Sequence, residues 1–231
     1  YEVFRALKQA GHRPVQWPCW LCLVLSIPLF TIKDSVSPLL PLVAGACMLI
    51  AVMVMFRSEP RLEDLLMSAL PLFCVLLPGM CMLGLARAID RVHQLLLILL
   101  AFGVPLVGDM LAYYIGSSMG KRKLCPEISP NKTVEGSYGS FLGGLLGGFV
   151  CFLLQFIWGL RLPILPMLLV GIICGGVGQI GDLFASVIKR WAGAKDYGNI
   201  FPGHGGVIDR LDSVLMCAPV VLCYVWLSML V

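Results

Sequence analysis

Charged residues are scarce in this chain of 231 residues. They make up 13% of the sequence, whereas an average soluble domain has roughly 25%. Hydrophobic residues make up 59%, and the mean hydropathy is +0.92. This composition excludes an ordinary soluble protein, and the length leaves no room for a separate soluble domain of usual size. We therefore predict an integral membrane protein.

Two further absences narrow the class of function. The 17 basic residues are divided among short segments, so there is no extended basic patch and we expect no nucleic-acid partner. The ten cysteines lie mostly in apolar runs, and Cys19 and Cys22 have no second pair or histidine at zinc-site spacing. We interpret the cysteines as reduced, small hydrophobic residues.

Apolar runs that could cross a membrane, which takes about 20 residues, occupy 17–32, 36–56, 65–86, 92–118, 137–160, 163–188 and 213–231. The first run is short for a span and could be tilted, re-entrant or extended into its flanks. They predict an all-α polytopic bundle of about seven transmembrane helices. A basic segment, 1–16, precedes the first helices in 17–118, and 119–231 form a catalytic membrane region with two cytoplasmic loops. The chain begins at Tyr1 without methionine or a signal-peptide pattern, so we expect natural sequence before it.

Basic residues are shared unequally between the two sides of this predicted bundle. With the loops assigned alternately, one side holds all 17 except Lys33, Arg87, Arg91 and Arg161. Cytoplasmic loops carry the excess of Lys and Arg. The long polar loops 119–136 and 189–212 are therefore predicted to face the cytoplasm.

Glycines in the last third of the chain recur at four-residue spacing. The pairs are Gly143 with Gly147, Gly144 with Gly148, and Gly171 with Gly175. Such spacing lets membrane helices approach closely. We interpret these glycines as packing residues.

Asp182 lies near the cytoplasmic end of the sixth predicted span, where an unpaired carboxylate is costly. Ser186, Lys189 and Arg190 follow at helical spacing. Two interpretations stay open: Lys189 or Arg190 neutralises Asp182 within the helix, or Asp182 binds a cation.

Two further acids, Asp209 and Asp212, stand where the last apolar run begins. Capping of a helix start explains one acid better than two. Mg²⁺ is typically held by one or two carboxylates together with substrate phosphates and water. Asp182 and Asp209 are therefore candidate metal ligands.

The turn from Pro202 to Gly206 offers unhindered backbone N–H groups and leads into a helix start, which favours anions. Its basic neighbours predict a pocket for a polyphosphate; they are Lys189, Arg190, Lys195, His204 and Arg210. A simple turn, with His204 as a structural hydrogen-bonding residue, is the alternative.

A second polar block runs from Gly120 to Gly136. Its Lys121–Lys123 cluster fits an orientation signal or a contact with anionic lipid.

The pattern of polar residues from Ser186 to Asp212 resembles the signature of the phosphatidate cytidylyltransferase, or CDP-diacylglycerol synthase, family. The matching residues are Ser186, Lys189, Arg190, Lys195, Asp196, Gly198, Phe201, Pro202, His204, Gly205, Gly206, Asp209, Arg210 and Asp212. An upstream block is similar to the same family through Asp109, Ala112, Tyr113 and Ile128–Gly136, with Asn131 where a basic residue is common. The clear resemblance covers 105–231.

This resemblance implies that CTP and phosphatidic acid give CDP-diacylglycerol and pyrophosphate, with a divalent cation. It implies Mg²⁺ on Asp182 and Asp209, a possible K⁺ beside it, and a homodimer in a bacterial cytoplasmic membrane with its site facing the cytoplasm. The implied catalytic residues are Lys189, Arg190, Lys195, Asp196, His204, Arg210 and Asp212. The implied substrate-binding residues are Ser129, Lys132, Thr133, Glu135, Ser186, Gly205, Gly206, Asp109 and Tyr113.

Other functions remain open at this point. Another CTP-dependent lipid enzyme, such as a CDP-archaeol synthase or a polyprenol kinase, would use similar chemistry. An ion channel or transporter would explain Asp182 within a glycine-interrupted helix. It would not explain the whole polar signature.

Overall fold

The computed structural model describes residues 1–32, 39–86, 90–198, 200 and 205–229. Two compact units divide the chain. The first unit combines Tyr1–Gly84 with Ile188–Arg210, and the second combines Leu85–Val187 with Leu211–Val231. Each unit is therefore built from segments that are distant in sequence.

Helices form nearly all of the regular structure. In chain order, the early helices are α1 (Glu2–Gln9), α2 (Trp17–Ile32), α3 (Leu39–Met55), α4 (Leu62–Pro71), a π-helical turn (Leu72–Leu76) and α5 (Leu77–Leu85). After them come α6 (Arg91–Met119), strands β1 (Lys123–Cys125) and β2 (Ser129–Thr133), α7 (Val134–Ile157), α8 (Ile164–Trp191) and α9 (Ile208–Met229). The predicted all-α class is confirmed.

Among the residues that the structure describes, five helices are long and apolar enough to cross a membrane by length and composition; they are Leu62–Leu85, Arg91–Met119, Val134–Ile157, Ile164–Trp191 and Ile208–Ser228. The apolar helices Trp17–Leu29 and Leu39–Met55 are shorter, so the predicted count of seven is not confirmed. Helix α8 continues past the predicted end through Lys189 and Arg190, and α9 starts before Asp209. Hydropathy misses such ends because polar residues continue the helix beyond the apolar run.

The beginning of the first unit is an amphipathic helix within the basic segment 1–16. Val3, Phe4, Ala6 and Leu7 of α1 are buried. The segment after α1 is held in place by Asp64. The Asp64 carboxylate accepts hydrogen bonds from the backbone N–H of Arg13 at 3.0 Å and from the side chain of Arg57 at 3.3 Å. The N-terminal residues are thus an ordered part of this unit.

The second unit is held together by glycine faces on α6, α7 and α8. A Cβ added to Gly143 of α7 would lie 2.6 Å from Cα of Gly108 on α6, and one added to Gly148 would lie 2.7 Å from the carbonyl oxygen of Met167 on α8. Ser140 Oγ donates to the Gly175 carbonyl at 2.7 Å. Backbone therefore contacts backbone here, and the predicted packing role of the glycines is confirmed.

Replacing Gly148 with alanine tests this packing. The added methyl group has to push α7 away from α8, and overpacking of this kind costs about 1–3 kcal/mol. For a chain of this size each kcal/mol lowers the thermal midpoint by about 2–4 °C, which a thermal scan in detergent would detect. Gly45→Ala in α3 is the matched control, because its new Cβ would meet nothing within 4 Å. Equal midpoints for both variants would contradict the packing role.

Strands β1 and β2 form an antiparallel hairpin within the polar block before α7. Its end is fixed by Thr133, the N-cap of α7, whose Oγ1 accepts from the Gly136 N–H at 3.0 Å. The Glu135 carboxylate accepts from the backbone N–H groups of Lys121 and Arg122 at 3.0 and 3.2 Å. These bonds give the segment that carries Lys132 a defined backbone.

Candidate active site

Polar side chains of the second unit meet between the hairpin and the membrane helices. We call them the Lys132 cluster: Asp109, Lys132, Gln179, Asp182, Ser186 and Ser213. Lys132 Nζ lies 2.7 Å from Asp182 Oδ2 and 3.5 Å from the carbonyl oxygen of Gln179. The side chains of Lys132 and Asp182 are 20% and 33% exposed. They form a partly hydrated ion pair that a charged substrate could reach.

Asp182 has a second partner one turn along α8. Ser186 Oγ donates to Asp182 Oδ1 at 3.5 Å. Lys189, considered above as a neutralising partner of Asp182 within the helix, pairs with Asp209 instead. The proposed Asp182–Lys189 contact is therefore wrong, because Lys132 of the hairpin supplies the cation.

Asp109 extends the Lys132 cluster into α6. Its Oδ2 accepts from the hydroxyl of Ser213 at 3.0 Å, and Ser213 is buried. Asp109 also lies within electrostatic reach of Asp182 and Lys132. The sequence analysis missed Ser213 and Gln179. Each of them is a polar residue in an apolar run, which is the feature that could have identified them. Gln179 also precedes Asp182 by three residues, so the two share a face of the helix.

A second group of polar residues lies in the first unit. We call it the Asp209 cluster: Glu2, Lys189, Tyr197, Gly206 and Asp209. Lys189 Nζ donates to Asp209 Oδ1 at 2.6 Å, and these side chains are only 13% and 7% exposed. Asp209 Oδ2 accepts from the backbone N–H groups of Tyr197 and Gly206, both at 2.8 Å. The carboxylate thus links the end of α8 to two residues of the loop before α9.

The glycine turn of the signature packs against this carboxylate. Gly205 has φ +82°, and a Cβ there would lie 2.8 Å from Asp209 Oδ2, so both backbone conformation and space favour glycine. Of the turn amides predicted to hold phosphate, that of Gly206 has a protein partner, since its N–H donates to Asp209. The N–H groups of Val207 and Ile208, which follow the turn, donate to Glu2. His204, Phe201 and Pro202 lie outside the described residues.

The remaining signature residues lie mostly at the surface of their units. Arg190, Lys195, Asp196 and Arg210 are exposed. Asp212 Oδ1 accepts from the Ser213 N–H at 2.8 Å, which places Asp212 beside the partner of Asp109. The structure thus divides the signature between an exposed basic surface and buried carboxylate contacts.

The candidate residues upstream differ in what they contact. Ser129 is half-buried in β2, opposite Cys125. Tyr113 is 72% exposed and makes an edge contact with Tyr114. Thr133 accepts from a backbone amide of α7, and Glu135 accepts from the amides of Lys121 and Arg122 before β1. Of these upstream residues, Lys132 and Asp109 enter the Lys132 cluster.

The donor chemistry of the two acids suits a hard cation. Asp182 and Asp209 offer carboxylate oxygens, and each is balanced here by a lysine. Within the described part of the chain, no group of three or more His, Cys, Asp or Glu residues could enclose a metal. Mg²⁺ does not need such a group, since it uses one or two carboxylates and completes its shell with phosphates and water. The residues present therefore fit Mg²⁺ better than a structural metal held by protein alone.

Comparison with known proteins agrees with the resemblance given above. Phosphatidate cytidylyltransferase of Bacillus subtilis is 48% identical over 112 residues, which cover 48% of this chain and 40% of that protein. The enzyme of that name from Aquifex aeolicus is 41% identical over 148 residues, which cover 64% and 53%. The one from Staphylococcus epidermidis is 45% identical over 129 residues, which cover 56% and 48%.

The extent of these matches determines what they establish. The chain spans about half the length of these curated relatives. A model of the cytidylyltransferase family matches residues 1–228, almost the whole chain. This protein therefore belongs to the cytidylyltransferase family.

Proposed function

We propose that this protein is a phosphatidate cytidylyltransferase, which converts CTP and phosphatidic acid into CDP-diacylglycerol and pyrophosphate. The Ser186–Asp212 signature carries the proposal. Two of its residues, Lys189 at the end of α8 and Asp209 at the start of α9, form a part-buried ion pair. Removing these two charges from water costs free energy of desolvation. A role in phosphate chemistry at a membrane surface explains why the chain carries such a pair, whereas a role in transport does not.

The reaction needs mainly positioning and neutralisation of charge. An oxygen of the phosphatidate phosphate attacks the α-phosphorus of CTP, the new P–O bond forms, and the bond to the pyrophosphate oxygen breaks. The nucleophile is already an anion, so no general base is required. Basic residues screen the phosphates; they are Lys189, Arg190, Lys195 and Arg210. Asp196 and Asp212 orient the basic residues or water, and His204 contacts the triphosphate.

We also propose Mg²⁺ as the cofactor, with Asp182 as one ligand and Asp209 as another, and K⁺ as a further ion. When bound, Mg²⁺ neutralises phosphate charge. The support is the hard-oxygen chemistry of each carboxylate and the family resemblance. The chain's own cations, Lys132 and Lys189, lie on these carboxylates, where they can hold phosphate oxygens.

The setting proposed for this reaction is a bacterial cytoplasmic membrane with the site facing the cytoplasm. The unequal distribution of basic residues supports that orientation. We propose that the shorter helices α2 and α3 also cross the bilayer, which gives seven spans, and that the protein works as a homodimer. Phosphatidic acid then reaches the site from the bilayer, and CTP reaches it from water.

An assay of the purified protein with CTP labelled at the α-phosphate tests the proposed function. With phosphatidic acid and Mg²⁺, we expect the label to enter a lipid product. Parallel reactions contain an isoprenoid ether phosphate or a free polyprenol. Absence of labelled lipid from phosphatidic acid would refute the proposal, and lipid labelling from γ-labelled CTP with polyprenol would favour a kinase.

A further inference from the structure

The second residue of the chain bonds to the turn that precedes its last helix. The Glu2 carboxylate accepts from the backbone N–H groups of Val207 and Ile208, one on each oxygen and both at 2.9 Å. Glu2 is only 7% exposed. All three residues belong to the first unit. The Glu2 carboxylate, which is not part of the family signature, therefore binds backbone amides inside the Ser186–Asp212 signature.

The glycines around Glu2 leave space for its carboxylate. A Cβ on Gly206 would lie 2.6 Å from both Glu2 oxygens, and one on Gly198 would lie 3.1 Å from Oε1. Two glycines of the signature thus have a steric explanation that involves no substrate. Their small size is matched to the Glu2 side chain.

The contact is electrostatically favourable despite its burial. A buried carboxylate needs hydrogen bonds to offset its lost hydration, and charge-assisted bonds to backbone N–H groups supply them. Glu2 also lies at the N-terminus of α9, where the helix dipole favours a negative charge. Its charge is therefore matched to this position.

Glu2 and Asp209 hold consecutive amides of one turn. Gly206 N–H donates to Asp209, and the next two N–H groups donate to Glu2. Asp209 in turn receives the ammonium of Lys189. A shift of the backbone at Val207 and Ile208 would carry Asp209 with it, because Asp209 is the next residue.

We propose that Glu2 is a positioning residue for the reaction, acting through the turn on Asp209 and Lys189. This inference rests on the proposed function, and it identifies an N-terminal residue on which the signature depends. Glu2 contacts neither substrate in this mechanism. Its effect should therefore appear in kcat more than in the KM for CTP.

The test compares Glu2→Gln, Glu2→Asp and the control Glu59→Gln in the full chain. For Glu2→Gln we expect kcat to fall about 10–100-fold, the range typical of residues that orient a functional group, with KM for CTP changed less than about 3-fold. Glu2→Asp keeps the charge and should retain more activity. Glu59 has a 74% exposed side chain, so Glu59→Gln should match the unmodified protein.

Hydrogen exchange provides a readout that does not depend on activity. In Glu2→Gln the amides of Val207 and Ile208 should exchange faster, while the thermal midpoint of the variant shows whether it is folded. Unchanged exchange and kcat would overturn the proposal, as would a rise in kcat/KM, which would make Glu2 a competitor of substrate phosphate. Lack of cytidylyl transfer by the unmodified protein would instead refute the proposed function.

Discussion

Asp209→Asn is expected to lower cytidylyl transfer by at least about 10²-fold, the scale of loss when a group that stabilises charge in the transition state is removed. Asparagine keeps an oxygen for the amides of Tyr197 and Gly206 but loses the charge that pairs with Lys189. It also makes a poorer ligand for Mg²⁺. Transfer from α-labelled CTP to phosphatidic acid measures the effect.

Stability has to be separated from catalysis in this experiment, since Asp209→Asn leaves the part-buried Lys189 ammonium without its carboxylate. Breaking a fully buried pair costs about 3–5 kcal/mol, so the cost here is expected to be smaller. The double variant Lys189→Met, Asp209→Asn removes both charges and should recover the thermal midpoint without recovering activity.

Asp90→Asn is the matched control. The exposed Asp90 carboxylate caps α6, its pKa is lowered by bonds to His93, and asparagine caps equally well. Near-normal turnover in Asp209→Asn would contradict the role of Asp209.

Asp182→Asn is expected to have an effect of similar size, through the Lys132 cluster. The variant loses the charge that faces Lys132 Nζ at 2.7 Å and the carboxylate proposed for Mg²⁺. Because Asp182 is 33% exposed, water can hydrate Lys132 in the variant, and the protein should stay folded in detergent. Activity and elution volume on gel filtration measure the two effects.

A charge exchange distinguishes a catalytic role for Asp182 from simple ion pairing. In Lys132→Asp, Asp182→Lys the two charges are still opposite, so the thermal midpoint should exceed that of either single variant. Activity should stay low, because the carboxylate and the ammonium have changed places around the phosphates. Recovery of turnover in the exchanged variant would show that only the pairing matters.

Much of the fold could be predicted because the hydrocarbon of a bilayer requires long apolar helices. The spans that became α6 to α9 were located to within about a turn except at the start of α9, and the glycine contacts followed from four-residue spacing. The apolar run 17–32 was already short for a span, and α2 has the same bounds. Helix α3, Leu39–Met55, lies within the predicted run 36–56. The hairpin β1–β2 was missed, since its two strands are short, mostly polar and carry no apolar pattern.

The signature placed Lys189 and Asp209 in one candidate site, although they are 20 residues apart in sequence. The predicted ion-pair partner of Lys189 was Asp182, whereas the structure pairs Lys189 with Asp209. Pairings between distant segments, such as Lys132 with Asp182, could not be read from spacing because they depend on how the helices pack. Glu2 was the hardest to identify, because a single acid in a basic segment carries no pattern.

The separation of 205 residues between Glu2 and Val207 also sets an order of assembly. At synthesis rates of about 5–20 residues per second, Glu2 leaves the ribosome on the order of 10–40 s before Val207. During that interval the N-terminal helix has no final partner for its carboxylate. The turn before α9 can be completed only after the intervening spans have entered the membrane, so a partly inserted chain lacks an organised signature. The proposed cytidylyl transfer therefore requires that synthesis has passed the turn before α9.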